Sequence, residues 1–391
     1  MPHYTYLIVG GGMAGDAAVR GIREVDERGS IGMLCADRHP PYNRPPLSKG
    51  LWKGQPEEQI WRRTHEQGCE VHLNRRAVGL DPAGRTVADE RGETYTYERL
   101  LLATGGSPRR LPFGGEQIIY FRTYDDYRRL REQSGPGRRA AVLGGGFIGS
   151  EIAAALAMQG TSVVMLFPEE GIGARIFPAS LSRFLNDYYR ERGVDVRPGT
   201  TAAGFEPKGR GGVLHTQDGQ RFEVDVVVAG IGITPSTALA EAGGLRVDNG
   251  IVVDEQLRTS RPDIFAAGDV ANFPNPVLGR LRVEHEDNAN TMGTAAGRNM
   301  AGKGEPYRHL PFFYSDLFDL GYEAVGDLDS RLQTVEDWKV PYREGVVYYL
   351  RDGRVRAVLL WNVWEQVDHA RALIASAGTV TPQDLKGRLP A

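Results

Sequence analysis

Cysteine is nearly absent from this chain: Cys35 and Cys69 stand 34 positions apart in 391 residues, with no CxxC spacing. That argues against a disulfide framework or a local dithiol pair, and it leaves two small buried hydrophobes as the expectation. The 8 histidines form no HExxH or other paired ligand spacing, so no metal site is expected. No stretch approaches the ~18 uninterrupted apolar residues of a membrane span. The strand-like YTYLIVG begins almost at Met1; no signal or transit peptide is expected, and the expected compartment is the cytoplasm. A formal net charge of −3 gives no basic footprint for nucleic acid. Arginine pairs such as Arg62-Arg63, Arg109-Arg110 and Arg138-Arg139 are scattered, as on a solvated surface. Lysine is scarce as well, with 6 among the 47 basic residues. One of them, Lys49, lies in PYNRPPLSKGLW, where three prolines forbid a regular helix.

What is present is glycine in a repeated setting. YLIVGGGMAGDAAVRGI runs an apolar strand into Gly10-x-Gly12-x-x-Gly15 and then an alanine-rich helix. The first glycine allows a tight turn, the second the approach of a pyrophosphate, and the third close helix–strand packing. Alone the pattern is weak, but a second strand, SIGMLC, follows, and Asp37 lies where an acid binds a ribose hydroxyl. The same grammar recurs at AAVLGGGFIGSEIAAALAMQG, with Gly144, Gly146 and Gly149 around Ile148, and Glu169 twenty residues beyond the third glycine. A carboxylate there accepts from the 2′-hydroxyl of NAD and repels the 2′-phosphate of NADP, so NADH is the expected donor; Arg175 complicates that choice. Three further strand ends carry glycine: Ala103-Thr104-Gly105, Gly230-x-Gly232 in GxGxxP, and FAAGD with Asp269. At this length two or three domains are expected.

These five ordered motifs resemble the two-dinucleotide flavoprotein reductases of the pyridine nucleotide-disulfide oxidoreductase family. The resemblance implies an α/β fold with two Rossmann-like domains, glutathione-reductase-like, plus a C-terminal α+β domain. The first glycine unit and the late AAGD segment would bind FAD, and the middle unit NADH. The implied division is residues 1–114 with 246–310 for FAD, 115–245 for NAD, and 311–391 for the C-terminal domain. Where disulfide reductases carry CxxxxC, this chain has PYNRPPLSKG, which resembles the ferredoxin and rubredoxin reductases and apoptosis-inducing factor. LRVEHEDNA, FFYSDLFDLGYEAVGDLDS and GVVYYLRDGRVRAVLLWNVW are similar to the last of these. Position 36 is alanine where relatives often place an acid, leaving Asp37 alone on the flavin-side ribose.

The resemblance pairs Lys49 with Glu151, two residues past the second glycine motif, as a bridge linking the two dinucleotide domains beside the flavin. A compact ammonium suits that place better than the wide fork of arginine. Arg44 would brace the flavin, Arg109 would meet a pyrophosphate, and Glu284 with His285 would lie near the flavin pyrimidine edge and the nicotinamide. Tyr314 matches a nucleotide-contacting aromatic, although its FFY setting reads as core; Trp361 and Trp364 read as packing the C-terminal domain. The strands GVVYYLRD and RVRAVLLWN, joined by Asp352-Gly353, read as a hairpin, with VDHARALIASA as a helix against it. The expected activity is hydride transfer from NADH to FAD and onward electron transfer to a quinone, oxygen or a small redox protein. Alternatives are a dedicated ferredoxin or rubredoxin reductase, and an NADH-sensing interaction protein with slow turnover and a stable charge-transfer complex. A homodimer is compatible with all three.

Overall fold

The computed structural model describes residues 1–376 and 378–389. The chain forms two compact units, Met1–Arg44 with Pro56–Ser107 and Thr234–Phe312, and Pro45–Gln55 with Pro108–Ile233 and Phe313–Ala391.

In the first unit a parallel sheet runs in the order Cys69–His72, Ile31–Leu34, His3–Val9, Thr94–Leu102, with Ile264–Ala266 also parallel to the last strand. The apolar run YLIV is buried on both faces, as a parallel sheet under helices requires. Thr86–Asp89 and Ala77–Asp81 extend the sheet as an antiparallel meander. The Met13–Arg23 helix and the Glu286–Met300 helix lie side by side. A Cβ at Gly293 would stand 2.4 Å from the Ala14 carbonyl oxygen and one at Gly297 2.1 Å from that of Ala18, so the two backbones touch.

Asp16, fully buried in the first turn of the first helix, anchors the loops beneath it. It accepts from Thr64 Oγ1 at 2.7 Å, Arg62 Nε at 2.6 Å and Arg20 Nε at 3.0 Å, and Arg62 reaches on to Asn43 at 2.8 Å. Arg62 is therefore a structural arginine and not part of a solvated pair.

The second unit holds a five-stranded parallel sheet in the order Val194–Pro198, Ser162–Phe167, Arg139–Leu143, Val226–Ala229, Ile118–Tyr120. The Phe147–Met158 and Ala179–Glu191 helices follow its second glycine turn and its next strand. A separate antiparallel sheet runs Phe312–Leu317, Leu320–Gly326, Arg354–Trp361, Glu344–Arg351, Gln333–Val340. Its expected hairpin is present, with Arg351 opposite Arg354 and φ of 54° at Asp352 and 71° at Gly353, the left-handed pair of a type I′ turn. The Val367–Ala375 helix packs against it; Ala377, the last residue of the expected helix, lies outside the described residues.

The chain thus changes unit at 44/45, 55/56, 107/108, 233/234 and 312/313, where the motifs suggested 114/115, 245/246 and 310/311. Two packing facts account for this. The proline run turns into short 3₁₀ segments that bury Leu51 and Trp52. Trp52 meets the Tyr127 ring edge-on at 5.5 Å and its carbonyl accepts from Gln159 at 2.9 Å. The C-terminal sheet seats Tyr322 and Trp361 on Phe177, at 5.3 and 5.5 Å, so it condenses with the half that carries the second glycine turn instead of standing apart. Among the described residues no helix is long and apolar enough to cross a membrane.

Candidate functional site

The two glycine turns repeat one steric pattern. At Gly10 (φ +124°) a Cβ would lie 2.1 Å from the Ala103 carbonyl oxygen, and at Gly15 2.2 Å from that of Gly10. At Gly144 (φ +112°) it would lie 2.4 Å from the Gly230 oxygen, and at Gly149 2.0 Å from that of Gly144. Between these crowded positions, a Cβ at Gly12 or Gly146 would meet nothing within 4 Å. Each middle glycine is the extended N-cap of its helix, and neither helix start is capped by a side chain. Each turn is therefore crowded, open, crowded: the outer glycines serve the fold, and the middle one leaves space over uncapped N–H groups where a pyrophosphate fits. That arrangement occurs once per unit.

Around the first turn, Thr104 Oγ1 donates to the Ser236 carbonyl at 2.8 Å, and the Gly105 carbonyl accepts from Ser236 N at 3.0 Å. Asp37 Oδ1 accepts from His39 N at 3.0 Å and Oδ2 from Tyr42 OH at 3.1 Å. Its carboxylate is thus oriented by its own loop, and Arg44 lies over the Tyr42 ring at 5.3 Å. Arg282 ties the late turn together, donating to the Asp269 carbonyl at 3.0 Å and pairing with Glu284 at 2.7 Å. His285 is the N-cap residue of the Glu286–Met300 helix. Desolvation pushes its imidazole down to about 4, against the upward pull of Asp269 and then Asp287; the ring is neutral near pH 7.

In the second unit Glu169 is partly exposed and accepts from Arg175 at 2.9 and 2.6 Å. The Gly173 N–H donates to the Gly145 carbonyl at 2.8 Å, which holds the Arg175 loop against the glycine turn. Arg109, expected to meet a pyrophosphate, belongs to this unit, and its backbone N–H donates to the Gly232 carbonyl at 3.0 Å. The short GxGxxP exit strand draws it there.

Lys49 and Glu151 pair as expected, Nζ to Oε1 at 2.7 Å, with side chains 13% and 3% exposed. Both belong to the second unit, so the expected bridge linking the two domains is a pair within one of them. Sequence reasoning missed its two other members. Ser48 Oγ donates to Glu151 Oε2 at 2.5 Å and Ser315 Oγ to Oε1 at 2.6 Å. The Lys49 ammonium stands 5.1 Å from the Tyr314 ring centre. Tyr314 is 38% exposed and is not core; Trp361 is fully buried, and Trp364, half exposed, lays its ring on Gly321, where an added Cβ would stand 2.8 Å from it, so both tryptophans pack the C-terminal sheet. Both thiols are buried, and desolvation pushes each up to about 12, which makes them inert.

Residues 4–293 match the family described as pyridine nucleotide-disulphide oxidoreductase. The chain belongs to the pyridine nucleotide-disulphide oxidoreductases. Segments 296–341 and 336–376 match the C-terminal domain described as apoptosis-inducing factor, mitochondrion-associated. Apoptosis-inducing factor 1, mitochondrial, of Dictyostelium discoideum is 33% identical over 96% of this chain and 79% of its own. The ferredoxin–NAD(+) reductase component of the Burkholderia cepacia anthranilate 1,2-dioxygenase system is 35% identical over 97% and 96%. Putidaredoxin reductase, solved in covalent complex with putidaredoxin, superposes with a TM-score of 0.90 at 31% identity, covering 98% of this chain and 95% of that one. This pyridine nucleotide-disulphide oxidoreductase is a flavoprotein that uses FAD and NADH. Its sequence has no CxxxxC dithiol.

Proposed function

We propose that this flavoprotein oxidises NADH and hands the electrons singly to a small redox protein of the ferredoxin type. The carrying observation is the doubled crowded–open–crowded glycine turn, one per unit, together with a buried lysine–carboxylate pair in the second unit and no dithiol in the sequence. FAD, when bound, supplies the step that lets a two-electron donor serve a one-electron acceptor. The chain's own groups bind, orient and compensate charge. Gly12 and the N–H groups behind it receive the FAD pyrophosphate, with Asp37 for the ribose and Asp269 for the ribityl–pyrophosphate portion. Gly146 and its helix receive the NADH pyrophosphate, and Glu169 accepts from the adenosine ribose hydroxyls, which supports NADH over NADPH. Lys49, held by Glu151, is the cation for the negative charge that reduction brings to the flavin. Neutral His285 adds no second charge.

A carrier protein as acceptor is supported by full-length likeness to reductases whose names specify such partners. The test is electron transfer to ferredoxin and to a quinone under NADH across a salt series. A rate to ferredoxin that is no faster than to the quinone and insensitive to salt would remove this reading. A second reading, slow turnover in the service of NADH sensing, is favoured by the match of 296–376 to the apoptosis-inducing factor C-terminal domain. It requires a long-wavelength band after NADH addition that persists in air. Two unpaired thiols in the sequence suit a reducing compartment such as the cytoplasm.

A further inference from the structure

An ionised carboxylate offers about four acceptor positions, and Lys49 fills one of those on Glu151. The remaining contacts come from two hydroxyls that are themselves buried, Ser48 at 5% and Ser315 at 1% exposure. Their arrangement is specific. Ser315 donates to the same oxygen, Oε1, that takes the Lys49 ammonium, at 2.6 and 2.7 Å, while Ser48 holds Oε2 at 2.5 Å. Rotating the carboxylate would strip Oε1 from both of its donors, and the Ser48 contact resists that rotation. The surroundings are closed. Tyr189 and Tyr322 are buried phenols raised well above their ordinary value, first by desolvation and then by the Glu151 charge. The charged or titratable groups facing the carboxylate are thus Lys49 from the proline segment, Tyr189 from the Ala179–Glu191 helix and Tyr322 from the Leu320–Gly326 strand.

We propose that Ser48 and Ser315 are positioning residues: by fixing the Glu151 carboxylate they hold the Lys49 ammonium in one place, and through it they set the reduction potential of the bound flavin. This rests on the reading of Lys49 as the flavin's cation. Lysine reaches its partner through a flexible four-carbon stem, so a carboxylate free to turn would leave the ammonium spread over several positions. A charge fixed in place before reaction stabilises developing charge more than one that must reorganise. Ser315 is contributed by the strand that also carries Tyr314, so the C-terminal sheet takes part in tuning the redox centre.

The test is the FAD midpoint potential and the rate of flavin reduction by NADH in Ser315→Ala, Ser48→Ala, Ser315→Thr, Lys49→Ala and Glu151→Gln, each as the flavin-loaded full chain. Ser315→Ala and Ser48→Ala are each expected to slow flavin reduction about tenfold and to lower the potential by about 30 mV, the equivalent of tenfold in a two-electron couple. KM for NADH should stay near that of the unaltered protein, because the glycine turn is untouched. Ser315→Thr, which keeps the hydroxyl, should restore both quantities. If Lys49→Ala shifts the potential while both serine-to-alanine variants leave it unmoved, the serine proposal is overturned and the reading of Lys49 stands. If Lys49→Ala itself leaves the potential unmoved, that reading falls and takes the proposal with it. Should Ser315→Ala fail to fold, Ser48→Ala, on the opposite oxygen, carries the same measurement.

Discussion

Ser315 and Glu151, 164 positions apart in the chain, meet at 2.6 Å on the carboxylate oxygen that also takes Lys49. A buried carboxylate holding three donors is costly to leave half-partnered. Lys49→Ala should therefore destabilise the protein by about 3 kcal/mol, the usual cost of orphaning one member of a buried pair. Replacing both members, Lys49→Met with Glu151→Leu, should recover part of that loss while flavin reduction by NADH remains slow. Urea unfolding of the single and double variants measures the stability side, and an additive double variant would argue against coupling.

The glycine turns separate packing from binding. Gly12→Ala should fold, with the melting temperature of the flavin-stripped unaltered protein, since its Cβ would meet nothing within 4 Å, yet fail to retain flavin. Gly10→Ala should not fold normally, because that Cβ would press to 2.1 Å on the Ala103 carbonyl oxygen. The ratio of flavin absorbance to protein absorbance after purification reads the first result, and circular dichroism the second.

Nucleotide choice turns on Glu169 and its arginine. Glu169→Ala removes the acceptor for the ribose hydroxyl and frees Arg175 for a 2′-phosphate. The kcat/KM for NADH should fall about tenfold and that for NADPH should rise. Equilibrium binding of NAD⁺ and NADP⁺ checks the same shift independently of turnover.

His285 predicts a pH dependence. Its imidazole is held at about 4 against an ordinary 6.5, so between those values the unfolded chain binds more protons than the native one. Stability should fall as pH drops through that window and be fully present above it. His285→Gln should flatten the melting temperature between about pH 6.5 and 4; a slope identical to the unaltered protein's would contradict the assignment.

The glycine spacing, the missing dithiol, the lysine in its proline setting and its glutamate were legible because each is a local pattern with a fixed chemical purpose. Ser48 and Ser315 were not, since a serine within FFYSD carries no signal until the fold brings it to a carboxylate far away in sequence. Asp16 was read only as helix, and its clamp on Arg62 and Thr64 depends on loops whose course no periodicity reveals. Tyr314 was misjudged for the converse reason: an aromatic cluster suggests core, but its edge strand leaves the ring 38% exposed.

The second unit is assembled from Pro45–Gln55, Pro108–Ile233 and Phe313–Ala391. On the ribosome, which releases the chain from its N-terminus, Ser48 and Lys49 emerge early, Glu151 next, and Ser315 only after the whole first unit has been made. Until then the carboxylate lacks one of its donors, so this unit cannot mature by itself in the order of synthesis. A fragment beginning after residue 55, however well it retains the parallel sheet, would be born without its lysine.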